Sequence, residues 1–278
     1  MKSRLLILAL LSVSLRFCSA QAPSGAVNFS FGTDTPVFDL TGSYGFTQQL
    51  NGTGGTPTDL SFGIALVNDT RGGLTGSGSA LVSIGDGSFA PFGANYIARG
   101  RVSGGGAKAT RVTLTVHLFG SDTVSGVPNV AISGMITYDL TVDPVALALN
   151  GTGRGQISLG KLGSSHISSD VGPIPLPQGV DGTWVVQMTI VPLNRLAGSG
   201  TIIVGNVVDQ NVGTVGRSLP EGLTGTFSAS ANLAKVKLTG SNNSRGTSLN
   251  LTFTPDGGID SANGTILGQK VLISSTGP

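Results

Sequence analysis

Apolar and polar residues alternate along most of this chain. From Arg111 to Phe119, Val112, Leu114, Val116 and Leu118 interleave with Arg111, Thr113, Thr115 and His117, the period-2 pattern of a strand with one buried face. Leu60, Phe62, Ile64 and Leu66 repeat the pattern, as do Trp184, Val186, Met188 and Ile190, and Leu249, Leu251 and Phe253. Helix formers are scarce, because Gly, Ser, Thr and Val dominate and Glu221 is the one glutamate. Asn51-Gly52, Asn150-Gly151 and Asn263-Gly264 predict hairpin turns, since Asn and Gly tolerate the positive φ of tight strand connections. The prediction is an all-β, antiparallel body with one face of each strand in and the other out.

Comparing the chain with itself adds an internal repeat. Gly42-Ser43-Tyr44 matches Gly182-Thr183-Trp184, and Leu74 to Gly78 matches Leu196 to Gly200. Arg111 to Thr115 matches Lys235 to Thr239 with the alternation in step, and Asn150-Gly151-Thr152 and Gly155-Gln156 match Asn263-Gly264-Thr265 and Gly268-Gln269. The matches keep their order while their separation shrinks, so the length changes are expected in loops. Pro173, Pro175 and Pro177 fall between the copies in a stretch too proline-rich for a central strand, which predicts an extended linker. The fold expected is a tandem repeat of two antiparallel β-barrel or β-sandwich units of six to eight strands each. The expected organisation is residues 1–20 as a signal peptide, 21–40 as an N-terminal arm or extra strand, 41–161 as unit one, 162–180 as a Pro/Gly/Ser linker and 181–278 as unit two.

The N-terminus changes how the composition is read. Lys2 and Arg4 precede the apolar run Leu5 to Leu15, and Ser19 and Ala20 follow it, the order of a secretory signal cleaved after Ala20. The run is shorter than the ~20 residues of a spanning helix and is broken by Arg16. The sequence pI is 8.9, but three of the 16 Lys and Arg, namely Lys2, Arg4 and Arg16, lie in the signal. Thirteen then face 14 Asp and Glu, which excludes the clustered positive excess that nucleic acid requires. Cys18 is the one cysteine, so the mature chain has neither disulfides nor thiol chemistry, and its core must hold it in an oxidising compartment. The predicted location is secreted or extracytoplasmic, at the periplasm or cell surface, with no transmembrane segment in the mature chain.

Gly42-x-Tyr44 and Gly182-x-Trp184, each followed by a strand and then a Gly-x-Gly, resemble the first hairpin of lipocalin and avidin-type barrels. The resemblance covers about a fifth of each unit. It implies a structural role for Tyr44 and Trp184, closing one end of a barrel. Trp184 is the chain's one tryptophan, so the aromatic ligand cage of avidins is excluded.

Candidate chemistry is sparse. His117 shares a strand face with Arg111, Thr113 and Thr115, and His166 sits among serines in the expected linker. Neither has a sequence neighbour that makes a relay, and Asp139 is the spatial partner to examine. The aspartates fall singly at turn-like places, where their side chains bond nearby amides. Asp256, Asp260 and Asn263 offer hard oxygen ligands on a glycine loop, a weak calcium candidate against an ordinary turn. No catalytic residue and no cofactor are predicted. The leading functional expectation is an exported, non-catalytic structural or binding module, with a cell-surface partner or a small apolar ligand and no nucleic acid. The alternatives are a small apolar ligand carrier with a barrel cavity, and a secreted hydrolase using aspartates.

Overall fold

The computed structural model describes residues 28–29, 37–51, 58–69, 71–85, 90–176, 184–189, 195–209, 213–230, 233–240, 248–253 and 259–273. The chain forms two compact units. One is Asp39–Val180, and the other combines Met1–Phe38 with Asp181–Pro278. Both are antiparallel β structure, and the expected signal at residues 1–20 lies outside the described residues.

The unit Asp39–Val180 is a closed eight-stranded barrel. Its strands are β2 (Gly42–Asn51), β3 (Thr58–Asn68), β4 (Gly73–Ile84) and β5 (Phe92–Gly105), then β6 (Lys108–Val124), β7 (Val127–Asp143), β8 (Ala148–Ser158) and β9 (Ser164–Pro175). Each pairs with the next, and β2 pairs with β9 to close the ring. The alternation read from Arg111 to Phe119 is the alternation of β6, whose Val112, Leu114, Val116 and Leu118 are buried.

The interior is filled by opposing large and small residues. On β8 the inward positions Gly151, Gly153 and Gly155 stand opposite Leu140, Tyr138 and Ile136 of β7. One step on, the sizes reverse, with Gly134 opposite Ile157. A Cβ on Gly153 would lie 2.8 Å from the Tyr138 ring, and one on Gly151 or Gly155 would meet the facing backbone carbonyl. Glycine here makes room for a facing side chain, the small-against-large rule of a narrow barrel. Phe46 stacks on Phe62 at 5.6 Å and meets Tyr138 at 4.6 Å, so aromatic rings occupy the interior at this level.

Two sequence expectations are corrected by the pairing. Asn150-Gly151 and Asn263-Gly264 lie inside strands, within β8 and within β15 (Ile259–Ile266). Their glycines serve close cross-strand approach, Gly264 against the Ser248 carbonyl and Leu249. The tight turns fall at Ser125-Gly126 and Leu267-Gly268, whose φ values are all positive, as a two-residue hairpin loop requires. The expected linker 162–180 contains β9, paired with β8 along its length. Its ladder to β2 reaches only Ile167 and His166, so Pro173 and Pro175 stand where β9 has no second neighbour, a position that tolerates a missing donor.

The other unit is an eight-stranded sheet in the order β1, β10, β11, β12, β13, β14, β15, β16. Here β1 is Asn28–Phe29, β10 Trp184–Thr189, β11 Arg195–Asp209, β12 Gly213–Ser230, β13 Leu233–Gly240, β14 Ser248–Phe253 and β16 Gln269–Ile273. Part of the segment expected as an arm at 21–40 is therefore a strand of this sheet, β1, pairing with Met188 and Thr189 of β10. The side chain of Gln269, fully buried, grips the same segment: its Oε1 accepts from the Phe38 N–H at 3.0 Å and its Nε2 donates to the Phe38 carbonyl at 2.7 Å.

Among the described residues no helix is long and apolar enough to cross a membrane. The barrel's outer face carries Arg99, Arg101, Lys108, Arg111, Asp139 and Arg154, all exposed, and its inner face is mostly apolar, with Gln48 buried among the apolar side chains.

Candidate functional site

Two surface depressions on the barrel gather most of its distinctive chemistry. Ile97, His117, Met135, Gln156 and His166 form one cross-strand row on the outer face, from β5 to β9. With Phe119 and Arg99 they line a shallow groove of about 1100 Å³. Ile97, Phe119 and Met135 are exposed by 40, 43 and 54% and give the groove its apolar surface, with His117 between Ile97 and Met135 in the row. Arg99 supplies positive charge at its edge, and no carboxylate is among the lining residues.

Both expected histidines thus share this row, and alternation on β6 and β9 turns both outward. Asp139 is not beside His117. It pairs with Thr113 and Thr152, four positions from Met135 on β7 and so about 13 Å along the strand. The relay considered from sequence is not assembled.

The second depression is polar and lies at the seam where the barrel closes. Only Leu50↔Ile167 and Asn51↔His166 pair β2 with β9. Beyond them the Ser169 hydroxyl replaces a backbone acceptor, receiving the Gln49 N–H at 3.2 Å. The gap is a slot of about 670 Å³ whose lining includes Gln48, Asp59, Thr152, Arg154, Ser168 and Asp170. Gln48 is inward-facing and 2% exposed. Its Nε2 donates to the Tyr138 hydroxyl at 2.9 Å, while its Oε1 is buried with no hydrogen-bond partner. Burial raises the Tyr138 pKa above the ordinary phenol value, with the Gln48 hydrogen bond opposing it more weakly, so Tyr138 stays protonated and a potential donor at all physiological pH.

The other residues expected to matter are dispersed. Tyr44, on β2, donates to the Leu40 carbonyl at 2.8 Å and is raised in pKa first by burial and then by Asp39. It ties the entry segment to the first strand. Trp184 begins β10. Of the calcium candidates, Asp256 lies outside the described residues; Asp260 is exposed on β15, and the Asn263 Oδ1 accepts from Asn250 Nδ2 at 3.2 Å. Among the described residues no three His, Cys, Asp or Glu side chains converge to hold a metal.

Sequence reading missed Gln48 and the seam. The available signal was Gln48 itself, a polar residue at the inward phase of β2, between Phe46 and Leu50.

The fold and these depressions define a class: an antiparallel barrel with aromatic rings in its interior, whose two depressions lie on its outer face and along its seam. No protein-family model matches the chain, and neither the curated proteins nor the solved structures yield a match.

Proposed function

We propose that this chain is an exported, non-catalytic β module built from two copies of one eight-strand unit, and that it binds its partners on its surface. The observation that carries the binding half is the filled interior. Phe46, Phe62 and Tyr138 occupy the barrel's middle, and glycine faces Leu140, Tyr138, Ile136 and Ile157 across β7 and β8. An apolar ligand is better served by the external groove of Ile97, Phe119 and Met135, and with Arg99 at its edge and no carboxylate that groove suits an apolar body bearing an anionic group. His117 and His166 are separated in that row by Met135 and Gln156, and no carboxylate lines the groove with them, which supports presentation rather than acid–base catalysis.

The repeat rests on register. In the barrel, pairing leads from Leu74 to Gly100, Leu114, Tyr138 and Gly153. In the other sheet it leads from Leu196 to Gly225, Leu238, Leu249 and Gly264. Leu74 and Leu196, and Leu114 and Leu238, are the residues that the sequence comparison equates, and strand pairing connects both pairs through a glycine. On this alignment β10 corresponds to β3, with Trp184 opposite Val204 as Phe62 is opposite Val82, and β1 takes the place of β2. The match of Tyr44 with Trp184 is then one strand out of step.

Export is supported by the basic, apolar and small-residue order of residues 2–20. Expression of the full chain in a secreting host tests both halves. The released protein is expected to begin at Gln21, and organic extraction followed by mass spectrometry is expected to recover no stoichiometric apolar molecule. A retained N-terminus overturns export, and an apolar molecule that survives loss of the outer groove in Met135→Lys overturns the filled barrel.

A further inference from the structure

We propose that the cationic outer face of the β5–β6 hairpin binds an acidic polysaccharide, a chain of sugars bearing carboxylate or sulfate groups. This deepens the binding half of the reading above and rests on it. The barrel's charges are nearly balanced in number, with seven Lys and Arg against eight Asp between Asp39 and Val180. Their placement is not balanced. The segment from Phe92 to Ser121, which is β5 and most of β6, contains Arg99, Arg101, Lys108 and Arg111 and no Asp or Glu. All four cations are exposed, and strand pairing gathers them. Arg99 and Arg101 share the outward phase of β5, about 7 Å apart. Arg111 pairs with Ser103, two residues beyond Arg101, which sets the two arginines diagonally about 7–8 Å apart. Lys108 pairs with Gly105 at the end of the hairpin. Arg71, also exposed, adds a fifth cation two residues before Gly73, which pairs with Arg101.

The neighbours select the kind of anion. Each arginine of the hairpin pairs across a ladder with a hydroxylated residue, Arg99 with Thr75, Arg101 with Thr113 and Arg111 with Ser103, and these three are exposed as well. Guanidinium groups take oxyanions by paired hydrogen bonds, and hydroxyls that both donate and accept suit the uncharged hydroxyls of a sugar ring. Phe119 is the exposed aromatic of this face, and it lies four residues along β6 from Thr115, the partner of Arg99. Bases of a single strand would therefore find no ring to stack on beside the arginines. The carboxylates beside the patch are Asp139 on β7, which pairs with Thr113, and Asp69 and Asp143, whose Oδ1 atoms accept backbone N–H groups of their own turns. They border the hairpin and do not enter it.

Titration of the full mature protein against immobilised alginate, which carries carboxylates, and heparin, which carries sulfates as well, decides the matter, with dextran as the neutral control. At least one acidic polymer is expected to bind and dextran is not, with affinity falling as salt is raised. Arg101→Thr combined with Arg111→Thr is expected to weaken binding about tenfold, the combined effect of two exposed ion pairs. Both positions are exposed, so the variant keeps the fold. Arg154→Thr combined with Lys161→Thr removes the same charge from outside the hairpin and is expected to leave affinity unchanged. Absence of binding to both acidic polymers overturns the proposal, as does an equal loss in the two double variants, which would make net charge the cause. Tighter binding of single-stranded DNA than of either polysaccharide overturns the choice of ligand. None of these results bears on signal cleavage or on the extraction experiment, so failure here is separable from failure of the broader reading.

Discussion

The barrel closes with its own strands, whereas the C-terminal sheet takes its first strand from the opposite end of the chain. Strands β2 to β9 are continuous in sequence, so everything the barrel needs lies within Asp39–Val180. The other unit needs β1 and the segment ending at Phe38, which precede the barrel, to complete strands that follow it. The barrel is thus inserted, in chain order, between the first strand of the other unit and the rest of it. Each unit also grips the intervening segment with a buried amide of its own. In one, Gln269 holds the backbone of Phe38; in the other, the Asn68 Oδ1 accepts the Leu40 N–H at 3.3 Å. One residue, Asp39, separates the points at which each unit claims the chain, so this boundary is a change of hydrogen-bond partner and carries no linker composition.

Composition provides a way to watch the units separately. Tyr44, Tyr96 and Tyr138 are the three tyrosines and all lie in the barrel, while Trp184 is the one tryptophan and lies in β10. The largest expected effect comes from the barrel's interior. Tyr138→Ala removes a fully buried ring from between Phe46 and the β8 glycines and is expected to cost about 3–5 kcal/mol. In urea titrations the near-ultraviolet signal of Tyr44 and Tyr96 should move to lower denaturant while Trp184 fluorescence stays put. If both signals shift together, the units unfold as one and the comparison fails.

The converse change is Gln269→Leu. It leaves the Phe38 N–H and carbonyl without their buried partner, at about 1–3 kcal/mol for each group orphaned. The loss should register in the Trp184 transition and spare the tyrosines, and a shift confined to the tyrosines would assign Phe38 to the wrong unit. Asn68→Leu is the mirror experiment. With Leu40 and the Asp69 carbonyl losing the Asn68 amide, it is expected to cost the barrel about 1–3 kcal/mol, this time in the tyrosine signal alone.

These contrasts also mark what could be read from the sequence. Strands with one apolar face, such as β3 and β6, announce themselves, because burial of one face imposes period 2 on the residues. The β9 strand does not, since Ser165 and Ser169 share the inward phase with Ile167 and Val171 and its prolines sit where a neighbour is missing. Asn-Gly misleads for a related reason: glycine serves positive φ and close packing equally well, and only the facing residue, Leu140 or Leu249, decides which. The histidines could be assigned to the outside from their phase on a strand. Their meeting in one row depends on the register of three ladders, which no local pattern encodes. The Gln48 slot depends on where a ladder stops, and that is a property of closure.

The smallest expected effect concerns acid. Asp122 accepts the N–H groups of Gly93 and Thr123, and Asp143 those of Ala146 and Val145; these donors lower both pKa values beneath the usual carboxylate range. A carboxylate whose pKa is lower folded than unfolded stabilises the fold fully above its unfolded pKa, and that stabilisation fades as pH falls through the folded value. Both residues are in the barrel, on β6 and β7, so acidification below pH ~4 should weaken the tyrosine transition through them. Asp122→Asn keeps an acceptor but loses the charge. Its tyrosine midpoint is therefore expected to start slightly lower at neutral pH and to fall less steeply in acid than that of the wild type. An unchanged acid slope would mean that the Asp122 bonds to β5 and to its own turn contribute nothing to the barrel, and that its acid sensitivity resides elsewhere.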